Sequence, residues 1–211
     1  MNWSALDRKE LEDILLDPAC LAGGHVCRDG AASVMEDDMQ RTNRVRHVLE
    51  AAHELLVRAA TRAIVGRRYL DAPTLVKEYL RVFFAGAERE LFVTLYLDVQ
   101  LGVIAAETTA LGTLGQTAVY PREIVRRALH HNAASVILSH NHPSGKAEPS
   151  HADQRLTDEL SKALRLIDVR VLDHIVVAGD TATSFAERGL LWQAIDIDAP
   201  ELRSVRARRT P

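Results

Sequence analysis

Hydrophobic and polar positions along this chain change period several times, and each change marks an element. Near the start, Leu6, Leu11, Ile14, Leu15 and Leu16 recur at helical spacing and stop before Pro18, which predicts a short amphipathic helix capped by Asp7 or Ser4. Gly23-Gly24 and Asp29-Gly30 break that pattern. Over 39–65 the helical period returns, with Val45, Val48, Leu49, Ala52, Leu55, Leu56, Ala59, Ala60 and Ile64 on one face and Arg41, Arg44, Arg58 and Arg62 mostly off it. Asp71-Ala72-Pro73 marks a boundary and opens a helix that buries Leu75, Val76, Tyr79, Leu80, Phe83 and Phe84 and ends at Gly86. The period then drops to two. Leu91, Val93, Leu95 and Leu97 alternate over 90–98, a second strand follows over 103–109, and Val99-Gln100-Leu101-Gly102 turns between them, giving a hairpin. Tyr120-Pro121-Arg122-Glu123 starts a helix that buries Ile124, Val125, Ala128 and Leu129, with His130-His131 at its C-terminus, where positive charge is favoured.

The most informative stretch comes next. Residues 134–138 form an apolar, β-branched run that reads as a buried strand, and His140 and His142 fall where it ends. Side chains alternate along a strand, so the two imidazoles point the same way and can share one ion. Pro143 and Gly145 stop the strand, and Ser150 starts a helix with Leu156, Leu160, Leu164 and Ile167 on its apolar side and Asp153 in its first turn. A strand over 169–178 carries Asp173 and His174, and Ser184-Phe185 reads as a last short strand. Leu190, Leu191, Trp192 and Ile195 then suit a docking helical turn, before a basic tail of arginines over 203–209. Strands and helices alternate after position 90, which implies a mixed sheet with helices on its faces.

Each piece of the stretch also has an ordinary explanation. A single histidine at a strand end is most often a polar surface residue, and Ser150-x-x-Asp153 is a complete helix capping box that needs no metal. Together, however, they form a compact set of two histidines and one carboxylate, which leaves a coordination position open. Asp173 and His174 are placed either to support such ligands from behind or to serve structure alone.

The pattern His140-x-His142-Pro143, six residues, then Ser150-x-x-Asp153 resembles the JAMM (MPN+) metallopeptidase motif. Its filling is similar to the bacterial RadC branch, through His140-Asn141-His142-Pro143-Ser144-Gly145, Val119-Tyr120-Pro121-Arg122-Glu123-Ile124 and Leu172-Asp173-His174-Ile175. That resemblance implies an α/β (α+β) fold, an MPN (JAB) domain with a mixed sheet flanked by helices over 71–191. It also implies a small N-terminal helical segment over 1–70, degenerate and helix-hairpin-helix-like, and a tail over 192–211. It further implies Zn2+ held by His140, His142 and Asp153, with Ser150 donating to the oxyanion. Glu107, followed by Gly112-Thr113, takes the place of the general acid/base; read from the strand alone, that glutamate is more simply a solvent-facing one. The implied reaction is hydrolysis of a peptide or isopeptide bond in a peptide or protein substrate.

Composition narrows the alternatives. In 211 residues, 47% are hydrophobic and 26% charged, which is globular, and the net charge of -3 gives no general pull toward DNA or an anionic membrane. Cys20 and Cys27 match neither a zinc knuckle nor a disulfide framework, and the chain shows no signal peptide and no apolar run long enough to span a bilayer. A soluble cytoplasmic protein is expected. A RadC-type DNA repair accessory protein is the competing function, resting on the arginines of 41–62 and the tail, although no glycine between Gly30 and Arg44 lets a backbone approach phosphate. A ferrous oxygen-activating centre uses the same donor types, and a scaffold with a dead site is disfavoured because every expected ligand is present.

Overall fold

The computed structural model describes residues 5–16, 31–71, 73–111 and 119–191. The expectations placed on Ser4, Cys20, Cys27, Ala72, Gly112-Thr113, the side chain of Arg41 and all of 192–211 lie outside the described residues. The chain divides into two compact units, Met1–Ala63 and Ile64–Pro211. In the second unit, Val65 and Arg68 bridge to Val103 and Gly102.

In the first unit, helix α1 (Arg8–Leu16) begins on a reciprocal cap in which Asp7 Oδ1 accepts the Glu10 N–H at 2.8 Å and Glu10 Oε2 accepts the Asp7 N–H at 2.7 Å. Helix α2 (Ala31–Ile64) starts earlier than its apolar period suggests. Ala51 is buried, whereas Val45, Leu49 and Leu56 are exposed, so much of the expected apolar face is open. Of the basic residues beside that face, Arg58 is committed to structure: it pairs with Glu54 at 2.8 Å and donates to the Leu6 carbonyl.

The second unit is built on five strands. After a 3-10 turn at Tyr69–Asp71 come α3 (Pro73–Phe84), β1 (Leu91–Leu97), β2 (Val103–Leu111), α4 (Pro121–His130), β3 (Ser135–Asn141), α5 (His151–Arg165), β4 (Arg170–Ala178) and β5 (Thr181–Ser184). The sheet order is β2-β1-β3-β4-β5. Every neighbouring pair is antiparallel except β3 and β4, which run parallel with α5 as the crossover between them. This is the mixed sheet with flanking helices that the alternation implied.

Alternation along the strands divides the core. Phe92, Tyr96, Val136, Leu138 and Val171 pack against Ile124 and Ala128 of α4 and Leu160 and Leu164 of α5. Asp173 lies opposite Ile137, on the other face, where Tyr69 and Ser184 meet it. Strand β3 is buried along its whole length and runs through His140 to Asn141, ending just before His142 and Pro143. His140 is therefore an interior strand residue, and the parallel crossover brings the N-terminus of α5 back over the end of β3. No helix among the described residues is long and apolar enough to cross a membrane.

Candidate metal centre

His140 leaves β3 on the face covered by α5 and is only 1% exposed. His142 follows the strand; its N–H extends the parallel ladder to the Val177 carbonyl at 2.8 Å, and Gly145 N–H closes a turn onto the His142 carbonyl at 3.1 Å. Pro143 occupies the second position of that turn, and Gly145 the fourth, where its φ of +79° suits a residue without Cβ. Asp153 arrives from the first turn of α5. Its neighbour Ser150 caps the helix by accepting the Asp153 N–H at 3.1 Å, while Asp153 Oδ2 accepts the Ser150 N–H at 2.7 Å. The capping box and the histidine contacts coexist: Asp153 Oδ1 lies 3.2 Å from His140 Nε2, and Oδ2 lies 3.5 Å from His142 Nε2.

The hydrogen bonds behind the histidines fix their tautomers. His142 Nδ1 faces the Lys146 carbonyl at 2.8 Å and must donate to it. His140 Nδ1 meets His174 Nε2 at 2.8 Å, His174 Nδ1 meets Thr157 Oγ1 at 2.6 Å, and Thr157 donates to the Asp153 carbonyl at 2.6 Å. One direction satisfies this whole chain: His140 donates to His174, His174 to Thr157, and Thr157 to the backbone. His174 is fully buried between Phe92 and Phe185, and burial, followed by the neighbouring His140, holds it neutral by pushing its pKa well below the usual range. With both Nδ1 atoms used as donors, neutral His140 and His142 turn their Nε2 lone pairs toward each other at 2.9 Å. Such a pair requires a cation between them, either a proton or a metal.

The spacing fits a metal. A tetrahedral zinc with nitrogen and oxygen ligands near 2.0–2.1 Å sets its ligand atoms about 3.3 Å apart, and the three separations here, 2.9, 3.2 and 3.5 Å, straddle that value. His140, His142 and Asp153 form the one group of three donors with metal-binding geometry among the described residues. The charges agree. Burial disfavours ionisation of Asp153, but when a proton occupies the imidazole pair the hydrogen bonds of His140 and His142, the charge of His140 and the Ser150 amide outweigh it and hold the carboxyl far below its ordinary range. The Asp153 hydrogen bond, acting against burial and aided by the Lys146 carbonyl, raises the pKa of His142 above 6.5. Proton and metal compete for the same lone pair, so this raised value extends the competition to higher pH. Zinc affinity is expected to fall about tenfold per unit as pH drops below the His142 pKa, with the decline setting in above pH 6.5. Chelator competition at a series of pH values reads this directly, and a flat profile through neutrality contradicts it.

The structure does not bring Glu107 to this cluster. Its carboxylate is gripped by the Arg127 guanidinium, with Nε to Oε2 at 2.6 Å and a second contact from Nη2, and by His131 Nε2 at 2.8 Å. Glu107 pairs with Thr94, which in turn faces Leu138, two residues before His140. It therefore shares the sheet face of His140, but two strand spacings and two residues place their Cα atoms about 12 Å apart. Burial works against its charge, yet the hydrogen bonds of Arg127 and His131 lower its pKa on balance. His131, expected only to complement a helix end, is thus an anchor for this glutamate. Ser150 Oγ accepts one bond from the helix and keeps its own proton for a further acceptor.

Thr157 and the Lys146 carbonyl escaped the reading of the sequence. Thr157 left a trace: it lies one helical turn after Asp153 and is a polar residue beside the apolar stripe of Leu156, Leu160 and Leu164. The carbonyl left none, since any residue supplies one.

Known proteins agree with this architecture. A family described as the RadC-like JAB domain matches residues 70–190. A UPF0758 protein of Acidovorax ebreus is 45% identical over 193 residues, 88% of this chain and 81% of that protein. A UPF0758 protein of Nitrosospira multiformis is 52% identical over 143 residues, 68% of this chain and 64% of that protein, so here the match spans less than two thirds of the relative. One from Leptothrix cholodnii is 53% identical over 146 residues, 69% of this chain and 66% of that protein.

Proposed function

The chain belongs to the RadC-like JAB domain family, and from that membership and the geometry of the centre we propose that it is a zinc-dependent hydrolase of peptide or isopeptide bonds. The observation that carries this reading is the set of opposed, tautomerically fixed imidazole nitrogens 2.9 Å apart with an ionised carboxylate beside them. Two imidazoles and one carboxylate make a three-ligand zinc site that leaves a fourth position open. A zinc ion held there would supply a Lewis acid, of the kind that lowers the pKa of a water from 15.7 to about 7.

This chain's own groups take the remaining roles. His174 and Thr157 hold His140 in register, because an imidazole that donates through Nδ1 presents Nε2 as the better ligand. The free hydroxyl proton of Ser150 is available to a carbonyl oxygen gaining negative charge, a contribution of about 2.7–4 kcal/mol where such donors have been removed. Glu107 is the proposed proton carrier. Among the described strand residues it is the carboxylate on the same sheet face as His140, and the role requires that Arg127 and His131 release it.

The test is zinc content and cleavage of a peptide library by the wild type beside Glu107→Gln. The variant is expected to keep its zinc and lose turnover by about 10²–10⁴-fold, the range for a positioned acid or base. Undiminished turnover would leave Glu107 as an anchor for α4 and nothing more. Iron in place of zinc in protein purified without chelator would overturn the hydrolytic reading itself.

A further inference from the structure

Beside the candidate centre lies a cavity of about 440 Å³, lined by Arg81, Phe84, Asn141, His142, Pro143 and Asp180 among others. It begins where the donor set ends, since His142 belongs to both. Its floor is unusual. Arg81 stands in the last turn of α3, and its Nε is buried without any hydrogen-bond partner. Among the described residues no carboxylate pairs with its guanidinium; Asp180 lines the cavity, but it is an exposed residue of the turn after β4 and lies beyond ion-pair reach. Arg81 as a whole is half-buried, but its guanidinium is permanently charged, and a donor of such a group that is buried without a partner is costly to leave unmade. Asn141, by contrast, is engaged at both ends of its amide: its side chain accepts the Leu91 N–H at 2.7 Å and donates to the Arg89 carbonyl at 2.9 Å. The unsatisfied chemistry of the cavity is therefore Arg81, set against the apolar wall of Phe84 and Val177.

We propose that this cavity is a carboxylate subsite, in which Arg81 binds a carboxylate of the substrate on an aliphatic stem while the adjoining bond lies over His142. A guanidinium fork pairs with a carboxylate in two parallel hydrogen bonds, and a partly buried one does so with little competition from water. The carboxylate has two possible sources, an acidic side chain or a free chain end. The placement of the cleaved bond rests on the hydrolase reading given above; the binding of the carboxylate does not.

The test uses the metal-free, full-length chain and four probes: acetyl-Ala-Glu-amide, acetyl-Ala-Gln-amide, acetyl-Ala-Ala with a free carboxylate, and acetyl-Ala-Ala-amide. Binding is followed by NMR at the Arg81 Nε–H resonance, assigned by its loss in Arg81→Lys. At least one carboxylate probe is expected to shift that resonance and to bind about tenfold or more tightly than its amide counterpart, a difference of about 1.4 kcal/mol. Whichever acid wins identifies the source. Arg81→Met is expected to erase the difference, and the comparison of acid with amide in the wild type stands even if that variant folds poorly. Equal affinity for acid and amide, binding that leaves Arg81 unmoved, or no binding of any probe would overturn the inference. Zinc-loaded protein separates this result from the hydrolase reading. Acidic probes that bind while no extended peptide is cut would sink the hydrolase and leave the subsite, whereas cleavage indifferent both to Glu or Gln and to a free or amidated chain end would do the reverse.

Discussion

Replacing Asp153 with asparagine is expected to weaken zinc binding by more than the 10–100-fold that loss of an outer partner costs, and to take hydrolysis with it. The substitution is nearly isosteric, and the amide oxygen can still accept the Ser150 N–H that Asp153 Oδ2 accepts at 2.7 Å. What changes is the charge and the second oxygen, the one that stands 3.2 Å from His140 Nε2. A neutral amide then meets the imidazoles, and the centre loses its only anionic donor. Ser150→Ala is the complementary control. It removes the bond from the Asp153 N–H and is expected to cost about 1 kcal/mol of helix stability while leaving zinc bound. Chelator competition alongside circular dichroism separates the two effects. An asparagine variant that binds zinc like the wild type would remove Asp153 from the ligand set.

The second large effect is structural. Asp173 is wholly buried, yet it is satisfied by four donors: Tyr69 Oη–H at 2.7 Å, Ser184 Oγ–H at 2.6 Å, and the N–H groups of His174 at 2.7 Å and Ala186 at 3.0 Å. It ties the turn before α3 to β4, to β5 and to the segment after β5. Burial, with the charge and hydrogen bond of Asp173, pushes the Tyr69 hydroxyl far above its usual pKa, so it remains a donor. Asp173→Ala strands all four donors in the interior and is expected to cost about 3–5 kcal/mol, the range for breaking a buried charged network. Asp173→Asn should cost less, because the Tyr69 and Ser184 hydroxyls can rotate to accept from its amide. Urea unfolding with an unchanged slope measures both. Since His174 is the next residue and emerges on the opposite face against His140, the alanine variant is expected to bind zinc more weakly as well. An alanine variant as stable as the wild type would show that Asp173 is not the knot described.

The donor set was legible because its spacing is local. His140-x-His142 follows strand alternation, and Asp153 follows Ser150 by the same three residues whether the pair caps a helix or also binds metal. Both histidines are short steps along one chain segment, so no tertiary information was needed to bring them together. The end of β3 was legible as well, because Pro143 and Gly145 stop it, whereas the partners that hold Asn141 there, the Arg89 carbonyl and the Leu91 N–H, were not. The grip on Glu107 was illegible for the opposite reason. Arg127 and His131 follow it by 20 and 24 residues, at the end of α4 and just after it, and only the packing of α4 on the sheet brings them together. The long apolar face of α2 misled in another way: helical periodicity shows that a face exists, not what covers it, and Val45, Leu49 and Leu56 are exposed.

X-ray absorption on chelator-stripped protein reloaded with one equivalent of zinc tests the central claim most directly. It should show a single four-coordinate zinc with two imidazole nitrogens at about 2.0–2.1 Å, the remaining ligands oxygen, and no sulfur. A shell containing thiolate, which would draw on Cys20 or Cys27, or one with fewer than two imidazoles, would mean that the ion binds elsewhere and that His140, His142 and Asp153 do not form its site.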